Sequence, residues 1–317
     1  MCQNLNLTKP RCVLASPETS ERQVNRITDK EGSHLANLDT TTREATPLDV
    51  PYTSMTGIRA TAASIVFLGG PPSKPSAIVK LDLATGSTEE LRRASSISLD
   101  PASISPAQPI EFPTEHGQTA YAYYHAPRNA SFKADSSELP PLLVICHNGP
   151  TAAASSTFNL KSQFWTSRGF AVLNVNYGGS TGYGRKYRER LNGQWGVVDV
   201  DDCVNGAQYL VERGLVDGKR LVIHGTSGGG YTTLCALTFR DTFKAGASYY
   251  GISNMEIFVH DTRKFESHYP ANLIGPFPER RDLYYQRSPI NFTDRLSSPI
   301  IFFQGLEDKL APPIRQK

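Results

Sequence analysis

Positions 1 to about 48 are polar, rich in Thr, Ser, Asn and charged side chains, and follow no sustained period of 2 or 3.6. Such a stretch reads as a disordered leader. The texture changes at residues 64–68 (Ser-Ile-Val-Phe-Leu), a strand that ends at Gly69-Gly70-Pro71-Pro72. Residues 77–83 and a polar stretch through Leu91 follow, joined by an Ala84-Thr85-Gly86 turn. Short strands between Gly/Pro turns predict a small antiparallel β-meander over 49–104. It is too small to bury its own face, so it must lean on something larger. From about residue 105 strands and helices alternate. Residues 141–146, 170–175, 220–224, 245–250 and 299–304 are near-continuous apolar runs, as expected of strands buried on both faces. Helical spacing appears over 158–168, ending at Gly169, and in Val197, Val200, Val204, Ala207 and Val211, ending at Gly214. The pattern over 105–317 is therefore α/β, with a mostly parallel sheet.

Gly225-Thr226-Ser227-Gly228-Gly229 falls where one of these strands gives way to a helical pattern running from Gly228 to Phe239. A G-x-S-x-G at a strand-to-helix junction places a serine hydroxyl proud of the sheet, because only small residues fit so sharp a turn. Ser227 is the candidate nucleophile; the plainer reading is a serine capping a helix. An oxyanion hole needs two backbone N–H groups. One is that of Gly228, and the other comes from a loop after an earlier strand, for which His147-Asn148-Gly149-Pro150 is placed. The orienting acid belongs after a later strand, and the loop Gly305-Leu306-Glu307-Asp308 offers Asp308, with Glu307 as the alternative.

Together these stretches resemble the prolyl oligopeptidase family, in particular its acylaminoacyl-peptidase and dipeptidyl-peptidase-like members. Ser167-Arg168-Gly169-Phe170-Ala171-Val172, Asn176-Tyr177-Gly178-Gly179-Ser180-Thr181-Gly182-Tyr183-Gly184, Gln194-Trp195-Gly196, Lys264-Phe265-Glu266 and Ser288-Pro289-Ile290 share the likeness, which covers roughly 48 to 313. The resemblance implies a serine peptidase with an α/β-hydrolase catalytic domain capped by a β-propeller, of which the meander is the end. It implies that Ser227 attacks the carbonyl of a short peptide, that Asp308 orients a histidine, and that the amides of Gly149 and Gly228 hold the oxyanion. Asn148 stands where the family commonly has Gly, and Gln304 where His is frequent. The family's catalytic His lies downstream of the acid, yet none of the nine residues after Asp308 is a histidine. His34, His116, His125, His147, His224, His260 and His268 all precede it. His147 reads as a brace of the oxyanion loop, His224 as a packed strand residue, and His260 as the one substitute an insertion could supply.

The sequence therefore reads as a serine peptidase chain cut at both ends and inactive by itself. Two alternatives remain: a non-catalytic remnant that binds peptides or pairs with an intact paralogue, and an esterase on the same framework. A homo-oligomer is also open.

Other chemistries are excluded on composition and motif. Lys and Arg number 33 against 30 Asp and Glu, a formal charge of +3 without basic runs, which argues against a nucleic-acid partner. No apolar stretch approaches the roughly 18 residues that span a bilayer, and no secretory signal opens the chain. Of five cysteines, Cys146, Cys203 and Cys235 sit in apolar patterns and read as buried free thiols, which points to the cytoplasm. The sequons at Asn6, Asn129 and Asn291 do not change that placement. With no P-loop, C-x-x-C or H-E-x-x-H, neither cofactor nor metal is expected. The glycines at 178–184 read as a flexible loop, and Asp199, Asp201 and Asp202 as helix-start charges.

Overall fold

The computed structural model describes residues 22–29, 32–39, 41–135, 137–261 and 268–308. Residues 1–21, which include the Asn6 sequon, and the Lys264-Phe265-Glu266 stretch lie outside the described residues. Strands β1 (Arg22–Asp29), β2 (Gly32–Asp39) and β3 (Ala45–Leu48) form one antiparallel sheet. Strands β4 (Ser54–Ala60), β5 (Ser64–Gly70), β6 (Ala77–Asp82) and β7 (Thr88–Arg93) form the expected meander.

The three strands within 22–48 correct the reading of that segment as a disordered leader. Val24, Leu35 and Ala36 are buried, and Val24 and Leu35 join the cluster built by Tyr52, Met55, Ile65, Phe67 and Val79 of the meander. The Ser33 N–H donates to Thr53 O at 2.9 Å and Arg26 Nη1 to Met55 O at 2.7 Å. So few apolar positions among so many polar ones leave no visible period. The sheet is stable because it borrows its neighbour's core.

The third sheet has seven strands in the order β14-β13-β12-β10-β11-β9-β8. They are β8 (Gln108–Thr114), β9 (Gln118–His125), β10 (Leu142–Cys146), β11 (Ala171–Asn176), β12 (Leu221–Thr226), β13 (Ala245–Tyr249) and β14 (Ile300–Phe303). β8 and β9 are antiparallel, and β10 to β14 run parallel. The crossovers carry α1 (Leu160–Thr166), α2 (Arg185–Glu189), α3 (Val198–Glu212), α4 (Gly228–Phe239), α5 (Met255–Asp261), α6 (Tyr269–Leu273) and α7 (Arg281–Gln286). Val144, Leu173, Val175, Leu221 and Ile223 of the central strands are fully buried with Cys203, Ala207 and Leu210 of α3 and Cys235 and Ala236 of α4. The central apolar runs at 141–146, 170–175 and 220–224 are thus strands covered on both faces, whereas the run at 299–304 leaves Ile301, Phe302 and Phe303 of β14 exposed. Parallel strands put their C-terminal ends at one edge of the sheet, and the loops after β10, β12, β13 and β14 gather there. Phe158 N–H donates to Pro71 O at 2.8 Å, which joins the meander to the loop that follows β10.

Candidate active site

Strand β12 runs two residues further than its apolar pattern, through Thr226, and α4 begins at Gly228. Ser227 alone makes the turn, with φ 56° and ψ −118°. A positive φ in a residue with a Cβ is a strained conformation, and here the surroundings enforce it. The Ser227 N–H donates to Tyr249 O at the end of β13 (2.9 Å), while Tyr231 N–H donates to Ser227 O (3.0 Å). The flanking glycines are required by close approach. A Cβ on Gly225 would lie 2.1 Å from Gly229 O, and one on Gly229 would lie 2.4 Å from Cys146 O and 2.5 Å from His147 O. Ser227 has no side-chain capping bond to the helix, so the plainer reading as an N-cap is not what the structure shows.

The loop after β10 closes over the start of α4. Gly149 has φ 57°, and Ala152 N–H donates to Gly149 O at 2.9 Å, a tight turn. Asn148 is not in the left-handed region; the position that needs glycine is 149, which explains why Asn is accepted at 148. A Cβ placed on Gly228 would be 3.0 Å from Pro150 Cδ and 3.4 Å from Gly149 N. The two backbones that carry the proposed oxyanion donors are therefore in contact. Gly228 opens a helix, so its N–H has no intrahelical acceptor and sits at the positive end of the helix dipole.

His147 braces this loop. It is buried, its Nε2 is 2.8 Å from Ser180 Oγ, its Nδ1 is 3.2 Å from Asn148 O, and its ring stacks on Tyr177 at 4.3 Å. Burial drives its pKa down to about 4, so the ring is neutral. His224 is likewise pushed down to about 4 by burial and lies edge-on to Tyr249 at 5.7 Å, its Nδ1 buried without a hydrogen bond among the described residues. His125 bonds Ser105 O at 3.1 Å. His34 lies on β2, His116 in the turn between β8 and β9, His260 exposed on α5 against Phe277, and His268 before α6.

Asp308 follows β14, one strand beyond β13 from Ser227 and at the same edge of the sheet. It is half-buried, with Gln304 Nε2 3.5 Å from its Oδ2, whereas Glu307 is exposed.

The three aspartates of α3 go to separate sets of partners. Asp199 is fully buried and accepts from Gly196 N (2.6 Å) and Thr232 Oγ1 (2.5 Å); burial raises its pKa to about 6. Asp202, also buried and raised, accepts from Gly178 N (2.6 Å) and Thr114 Oγ1 (2.5 Å) and pairs with Arg190 (3.4 Å). Asp201 pairs with Arg240 at 2.5 Å. Asp199 and Asp202 therefore organise loops rather than serve as solvated helix-start charges. The 178–184 segment is correspondingly pinned: Gly179 N–H donates to Tyr187 O, Thr181 N–H to Ala152 O, and Tyr183 stacks on Tyr121 at 4.5 Å. Asn176 accepts from Ala154 N (2.7 Å) and donates back to Ala154 O (3.2 Å). No group of three His, Cys, Asp or Glu among the described residues is placed to hold a metal.

A sequence profile described as the prolyl oligopeptidase family matches residues 156–315. The chain belongs to the prolyl oligopeptidase family. Dipeptidyl aminopeptidase BIII of Pseudoxanthomonas mexicana is 31% identical over 67% of this chain and 31% of its own length. The acylamino-acid-releasing enzyme of Arabidopsis thaliana is 29% identical over 58% of this chain and 25% of its own. A puromycin-hydrolyzing peptidase of Mycobacterium tuberculosis, of known structure, is 40% identical with a TM-score of 0.91, over 95% of this chain and 46% of its own. The chain thus spans less than half the length of these relatives. In the terms of the prolyl oligopeptidase family, the seven-stranded sheet is an α/β-hydrolase sheet and the antiparallel strands before it are propeller-like.

Proposed function

We propose that the chain carries the nucleophile, oxyanion donors and orienting acid of a serine peptidase that cleaves short peptides through an acyl-enzyme. Ser227 Oγ attacks the carbonyl carbon, and the N–H groups of Gly149 and Gly228 stabilise the oxygen as it becomes negative. Asp308 orients the base. The strained conformation of Ser227 between β12 and α4, with two donor-bearing backbones in contact beside it, carries this reading. The names of the relatives support peptides as substrates, and one solved puromycin hydrolase neighbour holds a ligand called PGG.

None of the seven histidines of these 317 residues takes the base's place in our reading. His147 and His224 are neutral and engaged in packing, and His260 is exposed on α5. Without a base the Ser227 hydroxyl stays protonated at neutral pH. The chain by itself then binds peptide but turns it over slowly, by about 10⁶-fold relative to a complete triad. β1–β3 and β4–β7 are read as the blades next to the catalytic domain. Cys146, Cys203 and Cys235 are free and buried, which supports a reducing, cytoplasmic setting; no helix of the described residues is long and apolar enough to cross a membrane.

Calorimetry with a tripeptide, beside assays on aminoacyl arylamides, N-blocked arylamides and short acyl esters, tests the reading. Binding with negligible arylamide cleavage is expected. Ordinary peptidase turnover that Ser227→Ala abolishes would mean that one of the seven histidines is the base, and His260→Ala would identify or dismiss the leading one. Rapid ester cleavage without peptide binding would favour the esterase reading.

A further inference from the structure

Cys146 is the last residue of β10 and Cys203 lies in the second turn of α3; they are 57 positions apart, yet their Sγ atoms are 3.5 Å from each other. Both side chains are buried. A disulfide needs about 2.05 Å between sulfurs, so closure asks for an approach of about 1.5 Å. Cys146 is fixed by parallel pairing to Val175 on one side and Gly225 on the other. Its carbonyl also lies where a Cβ on Gly229 would collide with it, and its successor His147 begins the oxyanion loop. Cys203 follows Asp202, which holds the Gly178 N–H, and lies one turn beyond Asp199, which holds the Gly196 N–H and Thr232. The thiol pair thus connects the origin of the oxyanion loop to the helix that organises the neighbouring loops.

We propose that Cys146 and Cys203 form a reversible disulfide site, closed by hydrogen peroxide, that tethers the oxyanion loop to α3. One thiol, as thiolate, attacks a peroxide oxygen; the O–O bond breaks, one water leaves, and a sulfenic acid remains. The second sulfur displaces its hydroxyl, the S–S bond forms, and a second water leaves. The two cysteines lose two electrons and two protons, and peroxide is reduced to two waters. A dithiol reductant reverses the reaction by thiol–disulfide exchange. Peroxide is close to water in size and enters a closed core during local opening, whereas a peptide-sized disulfide does not fit. The hydrogen bond with Cys146, and then burial, hold the Cys203 thiol well above its ordinary range, so the reaction is slow. Cys235 is buried too, but no other described cysteine lies within hydrogen-bond reach of it, which makes it an internal control.

The test requires no turnover. The 317-residue chain carrying Cys2→Ser and Cys12→Ser is incubated with peroxide and analysed by peptide mapping, thiol counting in denaturant, thermal melting and hydrogen exchange. The expected result is a cross-linked peptide containing Cys146 and Cys203, lighter by two hydrogens. Two of three thiols are lost, Cys235 is retained, the melting temperature rises by several degrees, and exchange over 147–151 slows; reductant reverses all of these. Cys203→Ser should abolish the cross-link. If that variant does not fold, mapping of the parent still decides, since the linked peptide is read directly. Sulfinic or sulfonic acid on separate cysteines, a cross-link through Cys235, or full retention of thiols even after refolding in peroxide would each overturn the proposal.

Discussion

Ser227 keeps a positive φ because three backbone segments crowd it: the end of β12, the first turn of α4 and the loop after β10. Gly225 and Gly229 are the residues that let them meet, and the atoms a new methyl would strike are backbone, which cannot rotate away. Gly225→Ala is therefore expected to lower stability by about 1–3 kcal/mol, toward the upper end, and to displace Ser227, measured as urea unfolding together with loss of acylation. The sharp turn at Ser227 and the tight turn at Gly149 were legible in the sequence because turn geometry restricts which residue types can stand there. Asp199 and Asp202 were not. A carboxylate at a helix start looks the same in sequence whether it faces water or is buried against Gly196, Thr232 and Gly178. The signal that could have revealed them is their position beside the apolar stripe of Val200, Cys203 and Ala207.

Helix α3 acts as a strut whose two buried carboxylates hold loops on either side. Replacing Asp202 by Ala leaves the Gly178 N–H without its acceptor and the largely buried Arg190 without its carboxylate, and a loss of about 3–5 kcal/mol is expected in chemical denaturation. At the opposite side of the sheet, β14 exposes Ile301 (52%), Phe302 (58%) and Phe303 (43%) along its edge. Exposed apolar edge strands template association. Phe302→Lys should reduce concentration-dependent light scattering while leaving the melting temperature within a degree or two; unchanged scattering would show that this edge is not what associates. The strand itself was legible as an apolar run. Its exposure was not, since a continuous run in sequence predicts burial on both faces.

The balance of buried titrating groups sets how the whole molecule responds to pH. His147 and His224 have folded-state pKa values near 4, below the ordinary 6.5, so the stability they contribute is complete above about 6.5 and is lost as pH falls toward 4. Asp199, raised from 3.8 to about 6, acts oppositely: its contribution is complete below about 3.8 and is lost as pH rises to 6. Burial shifts His125 down and Asp202 up, and these two oppose each other. Two histidines outweigh one aspartate, so stability should rise with pH between 4 and 6, by about 1.4 kcal/mol per pH unit at the steepest. Melting curves across that window check this. His224→Leu should flatten the slope, and Asp199→Asn should steepen it. At this scale the alternation of strand and helix made the α/β sheet legible. The strands at 22–48 were hidden because their core belongs mostly to residues of the next sheet.

Acylation of Ser227 tests the central claim most directly. An activated aryl ester of a short acyl group, incubated with the 317-residue chain at alkaline pH, should leave one acyl group on the peptide containing Ser227. The oxyanion hole alone should keep this roughly 10³–10⁴-fold faster than reaction of a free serine hydroxyl. Ser227→Ala should remove the adduct without changing the melting temperature. An acyl group on another residue, or an unchanged yield from Ser227→Ala, would contradict the account.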